Sequence, residues 1–147
     1  MLLEKATQYA EDCISGKEPA TPEVITQCQW FISDREKEND DDFAYRFCED
    51  KLKVIEGILK LLNFATGFVS GSVYNGAENY QAFFMANIFG WRYKSDPDRF
   101  RYREVVLFIA RKNAKTFMAA LIIIILMLTE DKYSEFYSIC LDRDLAG

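Results

Sequence analysis

Seven consecutive residues in the last third of the chain carry the groups that a phosphate ligand requires. The segment Ala110–Thr116 reads ARKNAKT, with three cations and a terminal hydroxyl, and apolar runs flank it on both sides. Phosphates bind where backbone N–H groups converge at a helix N-terminus, where an ammonium offsets charge and a hydroxyl holds a magnesium ion. Lys115 could supply the ammonium and Thr116 the hydroxyl. The segment predicts a nucleotide-binding loop, and its alternative is a charged turn between two apolar segments.

The loop departs from the usual phosphate-binding motif GxxxxGK[ST]. Ile109 stands at the first glycine position and Ala114 at the second, so the motif alone is a weak signal. The charges favour a ligand more strongly, because each cation at a helix N-terminus conflicts with the helix dipole by roughly 0.3–1 kcal/mol. A bound anion would remove that conflict, whereas a purely structural turn is expected to place Asp or Ser there.

Composition excludes several other chemistries. The chain of 147 residues contains no histidine, which removes Ser-His and Cys-His catalysis and the commonest transition-metal ligand. Its four cysteines are far apart and form no CxxC pair, so we interpret them as structural thiols. The net charge is −5 but uneven, since residues 1–50 carry thirteen acids against five bases, whereas Arg92–Lys115 carries eight bases against three acids.

Most of the first ninety residues have helical patterns. Gly16 is a natural stop for the first helix, and Thr21 is a candidate N-cap for the second. Gly90 closes a later helix, the acidic run Asn39–Asp42 is interpreted as a solvated loop, and the glycine-containing connection Asn63–Asn79 as a hinge. Helices are predicted over Leu2–Ile14, from Pro22 onward, over Glu49–Asn63 and over Glu78–Phe89.

The last third predicts the beginning of a parallel sheet. Trp91–Arg103 has the pattern of an extended pair with a turn at Ser95–Asp98. Glu104–Ala110 is a short apolar run typical of a strand buried on both faces, and Glu135–Leu141 is a second candidate strand. Between them Lys115–Thr129 is apolar all round and predicts a helix, so a right-handed crossover and a parallel pair are expected.

The loop Ala110–Thr116 also resembles the shortened, glycine-poor Walker A loop of bacteriophage terminase large subunits, usually written Arg-Lys-Asn-Gly-Lys followed by Ser or Thr. Further segments resemble that family in its own order. They are Tyr9–Lys17, Ala44–Leu59, Glu78–Arg92 and Ile139–Gly147. The resemblance implies an α/β fold in which an acidic helical section, residues 1–66, precedes the first part of a P-loop ATPase domain with its parallel sheet, residues 67–147.

The resemblance implies a motor ATPase that drives viral DNA into a preformed capsid. Carried over by position, Lys115 would contact the β- and γ-phosphates of ATP, Thr116 would hold Mg²⁺, and Arg111 would act on the γ-phosphate. Tyr80 and Gln81 would stack on and hydrogen-bond the adenine, although by themselves they are typical of packing and capping at a helix start. The implied nucleotide-binding set is Tyr80, Gln81, Ala110, Arg111, Lys112, Asn113, Ala114, Lys115 and Thr116.

Two features qualify what this chain is expected to do. Ala114 replaces the family's usual glycine, and its Cβ could crowd a phosphate. The chain is expected to stop before the Walker B acid and the nuclease domain, so the fragment alone is expected to be inactive, with ATPase and endonuclease activity in the complete protein. Arg99, Arg101 and Arg103 could touch DNA phosphates, but we favour the solvent face of an ordinary strand.

The expected partners are ATP, Mg²⁺ and, in the complete protein, double-stranded viral DNA, the small terminase subunit and the portal. The longest apolar run, Phe117–Leu128, is shorter than the ~20 residues of a membrane span, and we expect a cytoplasmic protein of the bacterial host. The helix holding this run is expected to expose an apolar flank that self-association could hide. The alternative function is a non-catalytic module that docks the small subunit or the portal and carries a vestigial loop.

Overall fold

The structure is a computed structural model that describes residues 2–63, 71–110 and 112–139, and it divides into two compact units, Met1–Leu107 and Phe108–Gly147. The first unit contains α1 (Leu2–Ser15), α2 (Pro22–Glu36), a 3-10 turn (Lys37–Asn39), β1 (Tyr45–Phe47), α3 (Glu49–Leu61), α4 (Val73–Gly76), α5 (Asn79–Gly90) and β2 (Trp91–Tyr93). The second unit contains α6 (Lys115–Thr129).

Local signals place the helices of the first unit, and the four predicted there are confirmed. The chain leaves α1 through Gly16, whose φ of 79° is left-handed. At the start of α2, Thr21 Oγ1 accepts a hydrogen bond from the backbone N–H of Val24 at 3.4 Å, and Pro22 occupies the first turn. In the predicted solvated loop at Asn39–Asp42, Asn39 is the last residue of the 3-10 turn, and the other three residues form neither helix nor strand.

Helix α1 forms the centre of the first unit because its buried side chains are small and lie on one stripe. Ala6, Ala10 and Cys13 recur at intervals of four and three residues and are fully buried. Spacing of this kind places them on one helix face, and small side chains allow a neighbouring helix to approach closely. Helix α1 packs against α5, α2 and α3 along this region.

An aromatic cluster joins the helices to a small antiparallel sheet. Strands β1 and β2 pair Phe47 with Trp91, and their ring centroids lie 5.3 Å apart in an edge-to-face arrangement. Phe31 of α2 adds its edge to Trp91 at 6.5 Å, so a helix and both strands meet at one fully buried tryptophan. Gly90 precedes it, and a Cβ at Gly90 would lie 2.4 Å from the Phe47 ring. Glycine is required at the end of α5 because the Phe47 ring occupies the place of a Cβ, and not because the backbone there is left-handed.

The predicted parallel sheet is not present in the described residues. Glu104–Ala110 forms no strand there, and neither do residues 135–139 of the second candidate, so both strand predictions are wrong over these ranges. Val106 is 86 % exposed and Phe108 98 % exposed. A strand buried on both faces needs neighbours for its N–H and C=O groups, and the described residues place none beside this segment. The coarse α/β assignment remains, as a mostly helical chain with a small antiparallel sheet.

The predicted extended pair after α5 is confirmed in outline. Arg92 and Phe100 form an isolated antiparallel bridge, and the backbone N–H of Arg101 donates to the carbonyl of Trp91 at 3.1 Å. The turn lies where Ser95–Asp98 predicted it, closed by the Asp96 N–H donating to the carbonyl of Tyr93 at 3.3 Å.

The proposed boundary between residues 66 and 67 lies among residues 64–70, outside the described ranges, and it stays a prediction. On either side of that gap, Asn63 and Ser72 form an antiparallel bridge and the Val73 N–H donates to the carbonyl of Leu62 at 2.8 Å. Helix α5, which follows the predicted boundary, packs against α1. The two sides of the connection therefore lie within one compact unit, Met1–Leu107.

Helix α6 spans the predicted range, Lys115–Thr129. A stripe of three residues is buried, namely Met118, Leu121 and Ile125. Met127 is 63 % exposed and Leu128 65 % exposed, so the expected apolar flank is confirmed, while self-association through it stays a prediction. Among the described helices, α6 included, none is long and apolar enough to cross a membrane.

Candidate functional site

The backbone immediately before α6 forms a tight turn that contains two residues with positive φ. Lys112 has a φ of 66°, and Ala114, the N-cap residue, adopts the left-handed conformation at φ 55° and ψ 31°. The first hydrogen bond of α6 follows, from the Met118 N–H to the carbonyl of Ala114 at 2.9 Å. Turns of this kind direct successive N–H groups into an anion-binding concavity. A tight turn therefore lies at the head of α6, and nucleotide binding by this loop stays a prediction.

The charges in this turn are unfavourable to the helix. Lys112 and Lys115 are exposed beside the N-terminus of α6, its first turn contains no acid, and Ala114 offers no side-chain cap. The first turns of α2 and α3 contain acids instead, Glu23 in α2 and two acids in α3. Because the partial positive charge of a helix N-terminus repels cations, the start of α6 is a place where a bound anion would lower the free energy.

The start of α5 is arranged differently. Glu78 is its N-cap, the Glu78 N–H donates to Gln81 Oε1 at 2.9 Å, and the Glu78 side chain accepts from the Gln81 N–H in return. The side-chain amide of Gln81 also donates from Nε2 to the Tyr80 hydroxyl at 3.4 Å. Gln81 is buried and Tyr80 is half-buried. These contacts confirm the packing and capping interpretation of the pair, and the adenine-binding role stays a prediction.

The structure brings the predicted site residues together in two groups. Residues 112–116 form one continuous turn and helix start in the second unit, and Ala110 belongs to the preceding segment, which has no regular secondary structure. Tyr80 and Gln81 lie side by side in the first unit. Arg111 lies outside the described residues, as do residues 140–147 of the Ile139–Gly147 resemblance.

Two arginines of the basic segment Arg92–Lys115 make contacts inside the fold. The sequence analysis did not predict these contacts. Arg101 Nη2 lies 2.6 Å from Asp34 Oδ2, and Arg101 Cζ lies 4.4 Å from the centroid of the Tyr45 ring and 5.0 Å from that of Trp91. The predicted solvent-facing position is wrong for Arg101, whose side chain is only 15 % exposed. No local spacing could have revealed this, because Asp34 is 67 residues away in the sequence.

Arg92 is buried in a comparable way. Its Nε donates to the carbonyl of Phe89 at 3.0 Å and its Nη1 to the carbonyl of Asp98 at 3.2 Å. The guanidinium also stacks on Phe100, with Cζ 3.9 Å from the ring centroid. Arg99 and Arg103 are exposed, as predicted for a solvent face, although Arg99 Cζ lies 4.3 Å from the Tyr93 ring centroid. Burial and internal hydrogen bonding make Arg92 and Arg101 poor candidates for contact with DNA phosphates.

Two of the described cysteines have a raised pKa. Burial, together with the neighbouring Cys13 thiol, raises the pKa of Cys28 to about 12, and burial also raises the pKa of Cys48. A thiol with a raised pKa is protonated at neutral pH and is a poor nucleophile. Cys13, Cys28 and Cys48 are free and buried, which supports the structural interpretation, and Cys140 lies outside the described residues. Within the described ranges no group of three His, Cys, Asp or Glu side chains could hold a metal ion.

The comparisons with known proteins concern the half of the chain that contains both groups of site residues. Residues 79–146 match the family described as terminase large subunit, ATPase domain. The matched segment starts at the first residue of α5 and continues through the loop and α6. Neither the curated proteins nor the solved structures give a match. The chain is therefore similar to the ATPase domain of terminase large subunits through residues 79–146, slightly less than half of its length.

Proposed function

We propose that this chain is the nucleotide-binding part of a DNA-packaging motor ATPase and that the loop before α6 binds the phosphates of ATP. The observation that carries the proposal is that the family match includes every residue to which the sequence assigned a nucleotide contact, from Tyr80 to Thr116. The left-handed turn and the exposed lysines at the start of α6 add physical support, since both suit an anionic ligand.

Each loop residue has a separate role in the proposal. Lys115 places its ammonium on the β- and γ-phosphates, and the backbone N–H groups of the turn surround them. Thr116 supplies one hydroxyl to Mg²⁺, whose other ligands are phosphate oxygens and water, as is usual for this ion. Arg111, outside the described residues, keeps its sequence-based assignment to the γ-phosphate.

Adenine recognition is assigned to the start of α5. The Tyr80 ring offers a stacking surface, and the Gln81 amide offers hydrogen bonds to the base. Gln81 already accepts from the Glu78 N–H through Oε1 and donates from Nε2 to the Tyr80 hydroxyl, so contact with adenine uses the remaining N–H and lone pair of its amide group. The proposal therefore requires the Gln81 side chain to cap α5 and to hydrogen-bond adenine at the same time.

Calorimetric titration of ATP with Mg²⁺ into the full chain tests the proposal. We expect saturable heat from the natural chain and at least a tenfold loss of affinity in Lys115→Ala, because the lost contact is a charge-assisted hydrogen bond worth about 1.5–3 kcal/mol. Lys132→Ala is the matched control, since Lys132 is exposed beyond the other end of α6 and should leave binding unchanged. Equal heat from the natural chain and Lys115→Ala would contradict the assignment.

In the complete protein the same site would drive the translocation of double-stranded viral DNA in the cytoplasm of the bacterial host, alongside an endonuclease activity. The small terminase subunit and the portal are the proposed protein partners. Hydrolysis of ATP is proposed as an activity of that complete protein.

A docking module without nucleotide binding is the second candidate. The observation that favours it is Trp30, which is 53 % exposed on α2 within the acidic N-terminal section. Exposed tryptophans are enriched at protein interfaces. The same titration separates the candidates, because the docking module gives no heat with ATP in the natural chain or in Lys115→Ala.

A further inference from the structure

The loop before α6 contains two residues in a conformation that their side chains disfavour. Lys112 and Ala114 both have positive φ, at 66° and 55°, and neither is glycine. A left-handed backbone brings the Cβ of an L-residue close to the following carbonyl oxygen, which disfavours it roughly tenfold relative to the right-handed conformation. Ala114 is the more informative of the two, because its carbonyl accepts the first hydrogen bond of α6.

We infer that Ala114 is an affinity-setting residue: it keeps the curled loop below full population in the absence of a ligand, so that binding a polyphosphate and ordering the loop are coupled. A protein whose competent conformation is partly populated binds its ligand more weakly by that fraction. Alanine at this position therefore lowers the affinity for ATP through the conformation of the loop and not through a contact of its side chain. The inference rests on the proposed function for the identity of the ligand. Its conformational half, that Ala114 lowers the population of the curled loop, is measurable without any nucleotide.

Two substitutions separate this mechanism from simple crowding of the phosphate by the Ala114 Cβ. Ala114→Gly removes the Cβ and also permits the left-handed conformation. Ala114→Asn retains a Cβ and adds bulk, yet asparagine enters the left-handed region more readily than alanine does. If conformation sets the affinity, both variants bind ATP more tightly. If crowding sets it, only the glycine variant does, and that result would overturn the inference.

Amide hydrogen exchange of the full chain without nucleotide tests the conformational half. The reporter is the Met118 N–H, bonded to Ala114, and the internal reference is the Glu130 N–H, bonded to Leu126 at 2.8 Å at the other end of α6. We expect Ala114→Gly to raise the protection of Met118 about fivefold, after allowance for the greater freedom of glycine in the open state, and to leave Glu130 unchanged. Unchanged or reduced protection of Met118 would overturn the inference.

Ala120→Gly is the matched control, since it makes the same chemical change at an exposed position inside α6. There glycine disfavours the helix, so the protection of Met118 should fall about fivefold, opposite in sign to Ala114→Gly. A rise in the protection of Met118 in Ala120→Gly would show that exchange at Met118 does not follow the stability of the start of α6. That result would overturn the conclusion drawn from Ala114→Gly.

Titration of Mg²⁺ and ATP into the natural chain and the two Ala114 variants completes the test. It distinguishes failure of the affinity-setting role of Ala114 from failure of nucleotide binding itself. We expect ATP affinity to rise about twofold to fivefold in both Ala114→Gly and Ala114→Asn. Stronger protection with unchanged affinity would overturn the affinity-setting role while leaving nucleotide binding intact. Absence of binding in all three chains would overturn the proposed function itself, whatever the exchange result.

Discussion

The basic segment Arg92–Lys115 crosses both compact units, and its charges are treated differently in each. In the first unit, Arg92 and Arg101 are buried or nearly so and bond to carbonyls or to Asp34. In the second, Lys112 and Lys115 are exposed beside a helix N-terminus that repels them. Charges that the chain satisfies internally serve the fold. Charges that it holds against the helix dipole are the ones that our proposal assigns to a ligand.

The helix starts of the two units show the same contrast. A reciprocal capping box closes α5 through Glu78 and Gln81, whereas α6 begins at a left-handed alanine without a side-chain cap. The first arrangement satisfies backbone groups that would otherwise lack partners. The second leaves the helix start without a side-chain cap from Ala114, which is where our proposal places the phosphates.

The largest effect is expected at the buried ion pair of the first unit. Arg101→Met should lower the free energy of unfolding by about 3 kcal/mol, because it leaves the Asp34 carboxylate, 7 % exposed as a residue, without its main partner. Urea unfolding measures the change, and Arg103→Met, at an exposed position of the same segment, is the control, with an expected change within about 0.5 kcal/mol. Equal losses of unfolding free energy from both variants would remove the distinction between buried, paired arginines and exposed ones.

The capping box should contribute less. Gln81→Ala removes the acceptor of the Glu78 N–H and should lower the free energy of unfolding by about 1 kcal/mol, as loss of a capping interaction does. The control is Gln27→Ala, an exposed position of α2 that should be nearly neutral in the same urea experiment. A neutral Gln81→Ala would mean that α5 does not depend on the box, and the contrast with α6 would weaken.

The lysine at the start of α6 should show the opposite sign. Lys115→Gln should raise the stability of α6 by roughly 0.3–1 kcal/mol, since it removes a cation from the positive end of the helix, and should weaken ATP binding in the same chain. Thermal unfolding followed by circular dichroism, with Lys132→Gln as control, measures the gain. Loss of stability in Lys115→Gln would show that this lysine supports the fold instead of a ligand.

The smallest effect concerns an exposed pair of the first unit. Lys51 Nζ donates to Asp98 Oδ1 at 2.7 Å, and this hydrogen bond lowers the pKa of Asp98 below its usual value. Because the folded pKa is depressed, the contribution of the pair is present above the ordinary pKa of an aspartate and is lost as the pH falls through the lowered one. Lys51→Gln should raise the pKa of Asp98 in an NMR titration, whereas Lys53→Gln should not; no shift in the first variant would exclude the pair in solution.

Local sequence signals predicted much of the fold. Thr21, Gly16 and the apolar spacing of α3 each act within one or two helical turns, and the helices that they define are present. The failures are long-range. Glu104–Ala110 has the composition of a buried strand, but composition cannot provide the neighbouring strands that would bury it.

The candidate site was predictable for a similar reason. Its loop is continuous in sequence, so cations, hydroxyl and helix start could be placed together without tertiary information. The left-handed conformation of Ala114 was not predicted, because alanine gives no sign of it and only the position of glycine in the usual motif hinted at a special backbone. The second role of Gln81, in the capping box, matches the interpretation that its position at a helix start favoured.

The central claim is that residues 113–116 surround a polyphosphate. Nitrogen-15 NMR spectra of the full chain during titration with ADP and Mg²⁺ test it most directly. We predict that the largest shifts occur at the backbone amides of Asn113, Ala114, Lys115 and Thr116 and that Lys115→Ala abolishes them. Saturating ADP that leaves these four amides unmoved would contradict the account.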